Sequence, residues 1–124
     1  MEKNRIRSNQ ITVSSILNTR FSANFARLNQ GTMGGRYGGA WVSLHNNHYQ
    51  WLKVDFKQVW KVTKISSQGR SNYNYWVTRY NVHCSQDNIH WNIFRFKNND
   101  KVRIFIFLWR DLGLGWLSET LINF

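Results

Sequence analysis

Proline is absent from this chain of 124 residues, and cysteine occurs once, at Cys84. A single thiol excludes an internal disulfide, so cysteine usage carries no mark of an oxidising compartment. Without proline, turns and strand edges must be built from glycine, asparagine, aspartate and serine. Acids are scarce as well: Glu2, Asp55, Asp87, Asp100, Asp111 and Glu119 are the whole set, and they stand singly. No paired-carboxylate or triad pattern emerges from them, which argues against an enzyme. Long apolar runs are missing too. The longest, Ile104 to Trp109, falls far short of the roughly 20 residues of a membrane span. Met1-Glu2-Lys3-Asn4-Arg5 is charged but no apolar stretch follows it, so no signal peptide is read there and a fragment of a longer protein is expected.

What the chain does have is positive charge and aromatic rings. Its 17 Lys and Arg against 6 Asp and Glu give a formal net charge of +11 and a field that attracts polyanions: anionic lipid, sulfated glycan or nucleic acid. The same charge also serves to keep an aromatic protein in solution. Seven Trp, eight Phe and five Tyr supply a core with large buried rings and polar handles, and the length suits a single domain.

Two segments alternate with period two. Leu52, Val54 and Phe56 interleave with Lys53 and Asp55, and Trp76, Thr78, Tyr80, Val82 and Cys84 interleave with Arg79, Asn81 and His83. Both read as half-buried strands. Ser85-Gln86-Asp87-Asn88 carries turn chemistry, with Asn tolerant of positive φ, so a hairpin returning over Ile89 to Phe96 is expected. The spacing of Val62 and Ile65 suggests a bulge or strand end near Thr63-Lys64. Gly31, Gly34, Gly35, Gly38 and Gly39 mark a mobile loop, and Ser71 to Tyr75 and Lys97 to Lys101 are further polar loops. Short strands between polar loops, with no helical period, argue for an antiparallel sandwich or barrel.

Ala26-Arg27-Leu28-Asn29, Gly39-Ala40-Trp41, Gln50-Trp51-Leu52-Lys53-Val54-Asp55, Gln68-Gly69-Arg70 and Trp76-Val77-Thr78 follow one another at compact spacing, after an opening strand at Gln10 to Ser15. This run resembles the discoidin domain, also called the coagulation factor five/eight type C domain, as far as Asn98. The resemblance implies an all-β, discoidin-type antiparallel jelly-roll β-sandwich whose loops form spikes at one end. It divides the chain into a discoidin-like part, 1–100, and a divergent or aberrant C-terminal segment of the same domain, 101–124, which does not align and leaves the usual closing strands in question. A sandwich without those strands would expose edges and be marginally stable, and Val102 to Trp109 is aggregation-prone by composition.

The same resemblance places ligands among the spike loops. Arg70 matches an arginine at the ligand site of sugar- and collagen-binding relatives, and a guanidinium fork suits a carboxylate or sugar hydroxyls. A structural role, holding the loops through backbone carbonyls, is the plainer alternative. Asn72, Tyr73 and Tyr75 around it, with Arg36 and Tyr37 from the glycine loop, have the composition of a carbohydrate site. Ile16 and Leu17 match the apolar spike of membrane-binding relatives, with Arg20 and Arg27 expected at its rim, although a buried pair would read the same. Trp41, Trp51, Trp76 and Trp91 read as core. The first loop, Ile16 to Phe25, has no Asp or Glu for a tight calcium site. His45 and His48, or Cys84 beside His83, lack the spacing of a zinc site or a base for a thiol nucleophile. No metal or cofactor is expected.

The leading expectation is therefore a non-catalytic extracellular module for cell-surface carbohydrate or glycoprotein, active in adhesion or recognition. The alternative is anionic phospholipid, phosphatidylserine above all. A nucleic-acid binder would need exposed aromatics on one basic face, whereas the motif assignment buries most of them.

Overall fold

The computed structural model describes residues 6–58, 60–61, 65–70, 73–74, 76–77, 79–93, 101–109 and 120–121. Its strands are β1 (Ile11–Val13), β2 (Gln50–Val54), β3 (Trp60–Lys61), β4 (Ser66–Ser67), β5 (Arg79–Ser85), β6 (Asn92–Ile93), β7 (Lys101–Trp109) and β8 (Thr120–Leu121). Three single 3₁₀ turns, Ser8–Gln10, Thr19–Phe21 and Ala23–Phe25, are the helical elements among the described residues. The fold is all-β.

β2 forms because its apolar residues recur every second position, which puts one set on the core side. Leu52, Val54 and Phe56 are buried at this face, and burying a side chain of this size contributes about 1.5–3 kcal/mol. β5 follows the same period, with Val82 buried, Tyr80 and Cys84 packed beside it and Asn81 exposed. Ile6, Ile11, Ala26 and Trp41 complete the cluster.

The main sheet runs β1-β2-β7-β5-β6, with β3 also pairing with β7. All its ladders are antiparallel. β2 pairs with β7 from Gln50↔Leu108 to Val54↔Ile104, and β5 pairs with β7 from Arg79↔Trp109 to Ser85↔Arg103. β3 continues on the edge where β2 leaves off, Trp60↔Val102 and Lys61↔Lys101. The segment that did not align thus supplies an inner strand with partners on both edges. Inner pairing satisfies the backbone groups that an edge strand offers to another chain, and 104–108, within the segment read as aggregation-prone, is paired on both sides. β4 and β8 form a separate two-stranded sheet. The expected irregularity at Thr63-Lys64 and the loop at Lys97 to Asp100 lie outside the described residues.

Several buried polar groups find hydrogen-bond partners on neighbouring segments. Gln50 accepts hydrogen bonds from the Ser14 and Ser15 hydroxyls at 2.8 and 2.6 Å, and its amide donates to Asn47 Oδ1 at 2.8 Å. Trp41 Nε1 donates to the Ser15 carbonyl at 2.9 Å. Gln10 accepts from the Arg7 N–H and donates to the Asp55 carbonyl. Each bond stands in for the hydration that burial removes.

The expected hairpin joins β5 to β6 through His83↔Ile93 and Cys84↔Asn92, and Asn88 takes a φ of 66°. Its return strand is described at Asn92–Ile93, beginning later than the sequence pattern suggested, while 94–96 lie outside the described residues; Ile89 and Ile93 are exposed. Asp87 staples the turn. Its carboxylate pairs with His90 Nδ1 at 2.6 Å and accepts from the His90 and Ile89 N–H groups and the Ser85 hydroxyl. These bonds, with the His90 side chain first, hold the Asp87 pKa well below the carboxylate range.

A depressed folded pKa adds stability above the unfolded pKa of about 4 and loses it as pH falls toward the folded value. Below about pH 4, the melting temperature of the native chain should fall more steeply than that of Asp87→Asn. Parallel acid limbs in a thermal-shift series would show that this carboxylate has no such role.

Candidate functional site

β1 ends, and β2 and β5 begin, at the same end of the main sheet, as the registers Val13↔Leu52, Gln50↔Leu108 and Tyr80↔Leu108 require. The long connection 14–49 and the approach to β5 therefore meet there. Two short backbone links fold the first onto itself: the Leu17 N–H donates to the Val42 carbonyl at 2.8 Å, and the Gly38 N–H to the Arg20 carbonyl at 2.8 Å.

Arg70 ties these loops together. Its Nε donates to the Gly38 carbonyl at 2.8 Å, and its guanidinium carbon lies 3.8 Å from the Tyr73 ring centroid and 5.1 Å from that of Phe21. A delocalised cation between two rings gains from both π faces. Gly38 permits this approach, because a Cβ there would lie 2.1 Å from Phe21 ring atoms. The glycine loop is accordingly held in place rather than loose: the Arg20 guanidinium also donates to the Gly35 carbonyl, and Tyr37 packs against Phe25 with centroids 4.9 Å apart.

Of the other residues expected at a ligand site, Arg36 is exposed and Tyr37 half-buried. Arg36 belongs to the turn that begins at Thr32. Tyr73 is exposed; Asn72 and Tyr75 lie outside the described residues. Ile16 packs against the core, whereas Leu17 is 46% exposed beside the exposed Arg20. Arg27 does not rim this loop. It is 8% exposed, its Nη1 has no acceptor among the described residues, and burial lowers its pKa.

Sequence reasoning missed several surface groups at this end. Trp76, expected in the core, is 53% exposed, and Met33, Leu44 and Tyr49 are exposed as well. Leu44 is held near Leu17 because its N–H donates to the Ser15 hydroxyl oxygen at 3.1 Å. His45 and His48 are exposed, with His48 against Tyr49 at 4.2 Å. The alternation of Trp76 with β5 pointed inward, but β5 starts only at Arg79, so the strand period does not extend to it. Trp41 is core, and Trp51 and Trp91 are half-buried.

The opposite end carries a cleft of about 260 Å³ lined by Cys84, Ser85, Gln86, Asp87, His90 and Asn92. Its carboxylate is committed to the hairpin turn described above.

The F5/8 type C domain profile matches residues 10–107. Coagulation factor V of Homo sapiens is 32% identical over 112 residues, covering 85% of this chain and 5% of that protein. Retinoschisin of Mus musculus is 40% identical over 68 residues, covering 54% of this chain and 28% of that protein. The chain thus spans only a small part of these curated relatives. Among solved structures, recombinant discoidin II of Dictyostelium discoideum superposes with a TM-score of 0.66 at 20% identity, over 80% of this chain and 48% of that one.

Because Gly38 is packed against Phe21, Gly38→Ala should displace that ring and loosen the Arg70 clasp. Overpacking of this kind costs typically about 1–3 kcal/mol. A chemical-denaturation midpoint unchanged from the native chain would refute the close packing.

Proposed function

Since the chain belongs to the F5/8 type C (discoidin) domain family, we propose that it is a non-catalytic, extracellular binding module of a longer protein, docking on an anionic phospholipid surface through the loop end of its sheet. One observation carries this reading: Leu17, Met33, Leu44, Tyr49, Tyr73 and Trp76 are all exposed on segments that converge at that end, beside the exposed Arg20 and Arg36. Apolar tips enter the interface while cations meet the head groups, each basic residue contributing about 1 kcal/mol near an anionic surface. Tryptophan is well suited to the boundary between hydrocarbon and water, having an apolar body and a polar N–H.

A cell-surface carbohydrate is the second reading, favoured by the exposed Tyr73 ring over Arg70 with Arg36 and Tyr37 on the adjoining loop. It asks Arg70 to combine two tasks, because its Nε already holds Gly38 and its faces meet two rings.

Co-sedimentation with phosphatidylserine vesicles should exceed that with phosphatidylcholine alone and weaken as NaCl rises. Leu17→Ser and Trp76→Ser should each lower the affinity by about tenfold, the equivalent of about 1.4 kcal/mol of apolar burial. Indifference to lipid charge together with loss of glycan-array binding in Tyr73→Ala would favour the carbohydrate reading instead.

A further inference from the structure

Met33 stands where the fold gains little from it. Its side chain is 72% exposed, so it buries almost nothing, and its backbone is left-handed, with a φ of 44°. That conformation crowds the Cβ of every residue but glycine, and a long apolar side chain tolerates it less well than Asn or Asp. Gly34 and Gly35 follow with φ 67° and 82°, the residue type such a turn ordinarily takes. An outlier of this kind persists when its surroundings hold it. Here the Thr32 carbonyl accepts the Gly35 and Tyr37 N–H groups at 3.1 Å each, the Met33 carbonyl accepts that of Arg36 at 3.4 Å, and the Arg20 guanidinium donates to the Gly35 carbonyl. The thioether is therefore presented outward from a fixed turn. It lies beside the exposed Arg20 and Arg36, at the end of the molecule that carries Leu17 and Leu44.

We propose, on the lipid reading of the loop end, that Met33 is a site of reversible oxidation, and that hydrogen peroxide acting on it releases the chain from an anionic membrane surface. A lone pair of the sulfur attacks one peroxide oxygen, and the S–O bond forms as the O–O bond breaks. The departing hydroxide takes the proton from the newly attached oxygen, so the products are the sulfoxide and water. Sulfur gives up two electrons and the peroxide takes them. A sulfoxide is polar where the thioether is apolar, so the side chain changes from one that enters the lipid interface to one that stays in water. Its exposure means that no packing inside the protein is lost with the change. Leu17 and Leu44 offer a peroxide no comparable atom, and Met1 is the one other methionine in the sequence.

Co-sedimentation of the whole chain with phosphatidylserine vesicles, before and after brief treatment with hydrogen peroxide, tests this. Peptide mapping locates the added oxygen, because trypsin releases Leu28 to Arg36 with Met33 inside it. Oxidation should lower the native affinity about tenfold, leave the melting temperature unchanged, and be reversed by methionine sulfoxide reductase. In Met33→Leu the ratio of treated to untreated affinity should stay near one. This variant keeps Cys84, so any effect of oxidising that thiol would show in it too. Met33→Gln should bind about as weakly as the oxidised chain with no oxidant added. No binding of the untreated native chain to these vesicles would refute the lipid reading and the switch with it. Strong binding that survives full oxidation of Met33, or an equal loss in Met33→Leu, would overturn the switch and leave the lipid reading standing.

Discussion

Everything in the main sheet depends on the double pairing of β7. One of its edges carries β2 and then β3, and the other carries β5 along its length. Among the described residues, β1 and β2 on one side and β5 and β6 on the other meet in the ladder only through this strand. These are long-range pairings, joining residues 50–54 and 79–85 to 101–109, so their closure entropy must be met by the burial they bring about. Leu52, Val54 and Val82 are buried on the two strands that flank β7, which is where that burial is gained.

The loop end inherits its geometry from this sheet. With β2 and β5 held at fixed separation by the strand between them, the chain leaving β1 and the chain entering β5 are delivered to the same place. The Arg70 clasp then joins their loops through Gly38, Phe21 and Tyr73. A rigid scaffold with loops at one end is a general arrangement for binding modules, and here the described loop residues present apolar and aromatic side chains at that end.

Much of the framework was legible because a half-buried strand writes its period into the sequence. Leu52, Val54 and Phe56 were readable as inward, as was Val82, and Asn88 was readable as a turn residue able to take positive φ. β7 was not readable in this way. Its apolar residues stand on both parities, Ile104, Ile106 and Leu108 alternating with Phe105, Phe107 and Trp109, and a run without alternation carries no face. Trp76 misled for the opposite reason, since it matched the period of a strand that begins three residues later. Arg27 misled because a charge is expected outside, whereas its guanidinium is buried. Arg70 was recognised from the motif, yet its stacking between Phe21 and Tyr73 joins residues 49 and 3 positions away that no local pattern links to it.

Native-state hydrogen exchange followed by mass spectrometry tests the central role of β7 most directly. Amides on a strand paired at both edges open only with the sheet, so those of 104–108 should rank with β2 among the slowest in the chain. Exchange of 104–108 as fast as that of the exposed turn 86–90 would contradict the account.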